Sequence, residues 1–336
     1  MALKPALNNK ATLEIGEVFE LVRADLERVE EELTRESQSG TEPVAAIARY
    51  LQSGGGKRLR PALHLLAARF CGYQGPSSVR LGAVLELIHA ATLMHDDVID
   101  QAETRRGRPS TNQRWGNPMT VLAGDWLYMQ SFRIALAERN LRILDVLIGL
   151  AQTMVEGELL QLTRLGRPDI SEEEALDLNR RKTAELFSVS MELGSLLGRQ
   201  TPGETQRLVG YGLNLGMAFQ IIDDLLDFVA DPARLGKPVV NDLREGKVTL
   251  PLVYALAAAG EAGRKKVEAV LEERGFVSVQ PEEIIALVRE TGAVQRTRAR
   301  AGEFVEEAYR CLEAFPDSTY KRALEAVPQF VLQRDY

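Results

Sequence analysis

The stretch LMHDDVID, residues 93–100, places Asp96, Asp97 and Asp100 close together in an otherwise apolar run. A carboxylate in apolar surroundings is unfavourable by several kcal/mol unless cations or donors meet it. The same D-D-x-x-D spacing returns in FQIIDDLLDF, residues 219–228, as Asp223, Asp224 and Asp227. A single copy can be a solvated acidic helix corner. Two copies in similar apolar contexts, each with basic clusters on the same stretch of chain, point to a common cause. Successive residues on a helix turn by about 100°, so positions i and i+4 lie on one face. Asp96 with Asp100, and Asp223 with Asp227, are therefore expected to share a metal-facing edge. Oxygen-only ligation by several carboxylates suits a hard cation such as Mg²⁺, which keeps waters and bridges to substrate phosphates. The triplets thus point to a phosphate-bearing substrate.

Around these triplets the apolar residues recur at helical spacing, and alternating strand-like runs are scarce. The chain is expected to be all-α, a single helical domain over residues 1–336, with no Pro/Ser-rich linker or short repeat to divide it. Ser171 with Glu174, and Thr201 with Pro202 and Glu204, are helix-start signatures. Pro118 after Asn117 starts a helix through VLAGDWLYMQSF, and Gly75-Pro76-Ser77 precedes one carrying LGAVLELIHAATLMHDDVID. Both acidic triplets then fall near helix C-terminal ends, where the helix dipole disfavours anions by a few tenths to about one kcal/mol. Residues 260–292 read as peripheral helices and 1–40 as an amphipathic N-terminal helix.

The chain's net charge of −7 and pI of about 5.3 argue against nucleic-acid binding, so any anion must be held locally. Cys71 and Cys311 stand far apart without C-x-x-C spacing, which indicates neither a disulfide framework nor zinc. There is no apolar leader region at the start and no run long enough to span a membrane. A cytoplasmic location is expected.

GGGKRLRP, residues 54–61, combines glycines with Lys57, Arg58 and Arg60 but lacks the order of a nucleotide-binding P-loop. Glycines let backbone approach a ligand, and lysine and arginine donate to phosphate oxygens. Arg105 and Arg106 follow the first triplet; Lys182, Thr183, Gln220, Lys237 and Lys247 flank the second. Glu86-Leu-Ile-His89 has the E-x-x-H spacing of di-iron bundles, but such sites need a second copy and further glutamates. Of His64, His89 and His95, only His89 has a glutamate three positions before it, which weakens that reading.

GGGKRLRP, IHAATLMHDDVIDQAETRRG, RKTAELF, GMAFQIIDDLLDF and LGKPVVNDLREGKVTLP stand in this order along the chain. Together they resemble the trans-isoprenyl diphosphate synthases (polyprenyl synthetases), most closely the bacterial long-chain, octaprenyl-type branch. The resemblance implies an isoprenoid-synthase helical bundle around a central cavity, the two triplets facing each other across its mouth. It further implies three Mg²⁺ ions, a homodimer, and head-to-tail condensation of isopentenyl diphosphate with an allylic diphosphate such as farnesyl or geranyl diphosphate, yielding all-trans products for quinone side chains. By this resemblance Asp96, Asp97, Asp100, Asp223, Asp224 and Asp227 hold the metal on the allylic diphosphate, which Arg105, Lys182 and Lys237 contact. Lys57, Arg60, His89 and Arg106 form the isopentenyl diphosphate site by the same resemblance. It also implies that Lys247 joins the allylic diphosphate site with Thr183 and Gln220, which line the reacting carbons, and that Lys182, Thr183 and Gln220 are the catalytic residues. A terpene cyclase or head-to-head synthase and a silent partner subunit are the rival readings; the GGGKRLRP and RRG segments argue against the first pair, and the intact triplets and basic motifs against the subunit.

The growing tail is expected to run along the helix face bearing Thr92, Ala91 and Ile88, positions four, five and eight before Asp96. Short-chain members of the resembled family carry an aromatic residue at the fourth or fifth position. The small residues here imply an open cavity that closes near Met129 or Phe132, and a product of roughly six to ten isoprene units, with shorter geranylgeranyl- or farnesyl-length products as the alternative.

Overall fold

The computed structural model describes residues 13–37, 41–56, 58–105, 107–230 and 239–334. The first helices are α1 (Ile15–Glu20), α2 (Arg23–Glu36), α3 (Glu42–Ser53), α4 (Leu59–Phe70) and α5 (Ser77–Ile99). A small antiparallel hairpin, β1 (Thr104–Arg105) and β2 (Arg108–Pro109), follows, then α6 (Thr111–Trp115), α7 (Asn117–Ala137), α8 (Leu141–Arg164) and α9 (Glu172–Asn179). One π-helical turn, Arg180–Ala184, joins α9 to α10 (Glu185–Leu197), and α11 (Pro202–Val229) comes next. The remainder is α12 (Asn241–Arg244), α13 (Leu250–Ala258), α14 (Gly260–Glu273), α15 (Pro281–Glu290), α16 (Ala293–Leu312) and α17 (Thr319–Gln333). The expected all-α architecture holds. Instead of one amphipathic helix at the start, the described part of 1–40 forms α1 and α2.

The starts of the long helices follow the sequence signals. Ser171 and Thr201 each accept a hydrogen bond from the third helical residue, and the Glu174 and Glu204 carboxylates accept one from the cap backbone N–H. The first half of α5 is buried on all sides, as its continuous apolar run requires, and it packs against α2, α4 and α7. Helices α4, α5, α10 and α11 form the centre, with α7 and α8 on one flank and α16 and α17 on the other.

Helices α10 and α11 approach unusually closely because of two glycines. A Cβ on Gly216 would lie 2.5 Å from Ala184 Cα, and one on Gly212 would lie 2.5 Å from the Phe187 carbonyl oxygen. Any side chain at either position would push the backbones apart. This contact fixes the end of the π turn against the helix that carries the second acidic triplet.

Candidate active site

A cavity of about 1150 Å³ opens among these central helices. Arg60 of α4 and His89, Thr92 and Asp96 of α5 form one wall; Lys182 and Thr183 of the π turn and Gln220, Asp223 and Asp224 of α11 form the opposite one. Arg105 and Lys247 close its rim. Residues far apart in the sequence therefore converge as the motif order suggested. Lys57, Arg106 and Lys237 lie outside the described residues.

The π turn explains how Lys182 and Thr183 reach the cavity. Widening one turn re-aims the side chains that follow it, a feature frequent at functional sites. Arg180 and Arg181 turn to Asp177, at 3.1 and 3.0 Å, while Lys182 Nζ reaches Glu158 at 2.6 Å and Gln161 at 2.8 Å. The Thr183 hydroxyl donates to Gln220 Oε1 at 2.7 Å, and the Gln220 amide donates to Asp224 Oδ1 at 2.7 Å. Asn179 Nδ2 donates to the other Asp224 oxygen at 3.0 Å.

The six aspartates differ more than their spacing implies. Asp96, Asp223 and Asp224 line the cavity, and Asp100 caps the end of α5 and pairs with Lys247 Nζ at 2.9 Å. Asp97 is buried and takes the Arg105 Nε–H at 2.6 Å. Asp227 is also buried and accepts from the backbone N–H groups of Asn241 and Asp242, both at 3.2 Å. The edge expected to be shared by Asp223 and Asp227 is thus replaced by one outward and one inward carboxylate. The reason is the helix dipole: near the C-terminal end of α11 an anion gains from turning to the free N–H groups that start α12.

Electrostatics mark the remaining carboxylates as short of positive charge. Burial pushes the Asp96 carboxyl up to about 7, with Glu158 adding to the rise and Lys182 opposing it. Burial likewise pushes Asp224 up to about 7, reinforced by Asp242. Burial opposes the charge of Lys247, but Asp100, Glu245 and Asp242 outweigh it and hold its ammonium above the usual lysine range. Among the described residues no three carboxylate, imidazole or thiol groups are gathered closely enough to hold a metal ion by themselves. Carboxylate oxygens on both walls, Asp96 and Asp224 among them with raised pKa values, fit a hard metal that completes its shell with water and phosphate oxygens.

Residues 41–288 match the family model described as polyprenyl synthetase. The chain belongs to the polyprenyl synthetase family. It is 36% identical to octaprenyl diphosphate synthase from Escherichia coli (strain K12) over 324 residues, covering 96% of this chain and 100% of that one. It is 35% identical over 326 residues to a short chain isoprenyl diphosphate synthase from Methanothermobacter thermautotrophicus, covering 95% and 99% of the two chains. A crystal structure of polyprenyl synthase from Caulobacter crescentus CB15, complexed with calcium and isoprenyl diphosphate, superposes with a TM-score of 0.92 at 33% identity, covering 97% of this chain and 100% of that one. This polyprenyl synthetase is therefore a prenyltransferase with the all-α fold of that family.

Several cavity residues of this polyprenyl synthetase were not identified from the sequence. Glu158 and Gln161 of α8 hold Lys182, and they do interrupt an otherwise apolar helix face. Arg334 lies just past α17, with its guanidinium 4.4 Å from the Phe219 ring centre and 3.4 Å from Asp223 Oδ1. Nothing in the local sequence around Arg334 signals that reach.

The reading of the tail path also changes. Thr92 lines the cavity, whereas Ile88 and Ala91 are fully buried in the core and do not form its wall. On α5 Ala91 and Thr92 are a quarter-turn apart, so Thr92 can border the cavity while the core takes up Ala91 and Ile88. Met129, expected to close the tunnel, is 62% exposed. Phe132 stacks on Tyr128, and both border a separate cleft between α7 and α8. Tyr128 also stacks on His95, whose neighbour Asp96 faces the cavity.

Proposed function

We propose that this prenyltransferase condenses isopentenyl diphosphate head-to-tail with an allylic diphosphate, farnesyl or geranyl, and makes a linear all-trans long-chain polyprenyl diphosphate used for quinone side chains. The observation that carries this reading is the meeting, in one cavity, of acidic groups from both triplets with Arg60, His89, Arg105, Lys182 and Lys247. The acidic groups suit a metal-bound diphosphate, and Arg60 with His89 suits a diphosphate held without metal.

Asp96, Asp100 and Asp223 would hold Mg²⁺, three ions by family resemblance, with Asp224 beside them. A metal held there would supply positive charge against the anion that develops on the departing allylic diphosphate. Arg105, Lys182, Lys237 and Lys247 add fixed positive charge around the same group. Asp97 and Asp227 support the triplets from behind, through Arg105 and the start of α12. Lys57, Arg60, His89 and Arg106 bind isopentenyl diphosphate and point its double bond at the allylic carbon. Thr183 and Gln220 flank that carbon, and their mutual hydrogen bond fixes both in place. The apolar inner wall keeps water from the allylic cation. The proton lost from the new chain passes to the released diphosphate, and the product is allylic again.

Thr92 stands on the path of the growing tail, and its small side chain supports a long product. A homodimer is part of the same reading, because α7 and α8 expose Leu122, Met129, Val155 and Leu159 along one side of the molecule. The reading also takes residues 1–336 as one cytoplasmic domain. No helix among the described residues is long and apolar enough to cross a membrane.

Incubation of the purified protein with Mg²⁺, farnesyl diphosphate and labelled isopentenyl diphosphate tests the proposal. Incorporation of label into an extractable polyprenyl product, with release of diphosphate, is the expected result. Absence of incorporation by the isolated protein would favour a supporting subunit instead.

A further inference from the structure

Glu86 belongs to the E-x-x-H sequence of α5, and the function proposed above uses only its histidine. Its carboxylate is buried at the boundary between the central cavity and a smaller cavity beside it. Glu86 accepts a hydrogen bond from Arg58 Nη1, and Arg58 reaches Glu30 of α2 through Nε and also through Nη2, the latter at 3.0 Å. One guanidinium thus joins three separate segments: α2, the loop before α4, and α5.

Arg58 holds an unusual backbone shape for this purpose. At φ 47° and ψ 33° it occupies the left-handed region immediately before α4, although glycines stand at 54, 55 and 56. A side chain other than glycine persists there only when its surroundings over-determine it. Two carboxylates on a forked donor supply that constraint. They also pair the charge of Arg58, so this member of the KRLR run is engaged by carboxylates although it borders the cavity beside Arg60.

The clamp runs parallel to a second rung. Glu86 and His89 lie three residues apart on one face of α5, and Arg58 and Arg60 stand two apart at the start of α4. Arg60 Nη1 lies 3.1 Å from His89 Nε2, and its guanidinium is 5.3 Å from the Phe187 ring centre. The Arg58–Glu86 rung therefore sets the distance across which Arg60 and His89 meet.

We propose that Glu86 is a positioning residue for isopentenyl diphosphate, acting through Arg58 to hold Arg60 and His89 at their working separation. This rests on the assignment of Arg60 and His89 to that substrate. It makes a prediction that charge alone reverses. Glu86 is an anion beside a site for an anionic ligand, so its neutralisation should tighten binding if it acts only through its field. If it positions, neutralisation should weaken binding.

The test is steady-state kinetics of Glu86→Gln, Arg58→Gln, the double variant and Arg60→Ala, with each substrate varied in turn. Glu86→Gln should raise KM for isopentenyl diphosphate at least roughly tenfold, with kcat and the allylic KM within about threefold. Arg58→Gln should do the same, and the double variant should be little worse than either single one because both break one clamp. An unchanged or lowered KM for isopentenyl diphosphate in Glu86→Gln, or an equal rise for both substrates, overturns the positioning role. If Arg60→Ala raises that KM while Glu86→Gln does not, the substrate site stands and only this inference fails. If Arg60→Ala leaves it unchanged, the site assignment and the inference fall together. Should Arg58→Gln not fold, Glu86→Gln decides alone, since it keeps side-chain size and a hydrogen-bond acceptor.

Discussion

Lys247 Nζ lies 2.9 Å from Asp100 Oδ2, so a single ammonium ties the end of the helix bearing the first acidic triplet to the segment that follows the second. The same nitrogen is 2.7 Å from Glu245 Oε2. Bridged in this way, Lys247 compensates the anion at the unfavourable end of α5 and holds the rim of the cavity. Lys247→Gln should lower kcat/KM for the allylic diphosphate at least about tenfold, roughly 1.4 kcal/mol of transition-state stabilisation, and change the KM for isopentenyl diphosphate by less than about threefold. Initial rates with each substrate varied in turn check this.

The chain-length reading separates two neighbouring positions. Thr92 faces the cavity, so Thr92→Phe should shorten the main product by several isoprene units while condensation continues. Ala91 is fully buried, so Ala91→Phe must displace core neighbours and should cost about 1–3 kcal/mol of stability whatever it does to the product. Chromatography of the dephosphorylated products, together with denaturant unfolding, measures both.

Buried His64 gives the fold a pH dependence independent of the site. Its ring is fully buried, with Nδ1 3.2 Å from the Ser190 carbonyl oxygen, and burial lowers its pKa to about 4 from 6.5. The folded state therefore excludes a proton that the unfolded chain accepts, and this residue's contribution to stability falls as pH drops from about 6.5 towards about 4. Between pH 7 and pH 5 that loss should be about 2 kcal/mol, and His64→Leu should remove it from the difference between the two curves. Urea unfolding of both proteins at the two pH values decides it; parallel losses would contradict a neutral buried imidazole.

What could be read from the chain follows the range of the forces involved. Helix starts at Ser171 and Thr201 depend on residues three positions away, and the structure keeps both capping boxes. Arg60, His89, Lys182, Gln220 and the cavity-lining aspartates were identified because similar motifs carry them. The inward turn of Asp227 was not legible, since its donors are the backbone groups of Asn241 and Asp242, supplied by a separate short helix. The clamp on Arg58 was hidden for the same reason, with Glu30 and Glu86 each 28 residues away. Periodicity alone did not reveal the π turn at Arg180–Ala184, which shifts the helical phase. Nor did it fix which of Ala91 and Thr92 meets the cavity, because that depends on how α5 is rotated against α7.

The central claim is that the cavity-facing carboxylates of both acidic triplets serve one metal-bound diphosphate and not the core. Asp223 tests it most directly: it lines the cavity and is half-exposed, and its hydrogen bond to Arg334 is long, at 3.4 Å, so its loss should cost the fold little. The measurement is turnover of Asp223→Asn at saturating Mg²⁺ and both substrates. A fall in kcat of at least about a hundredfold, with helical content and Tm close to those of the parent protein, is the expected result. A variant that turns over at nearly the parent rate under those conditions would contradict the account.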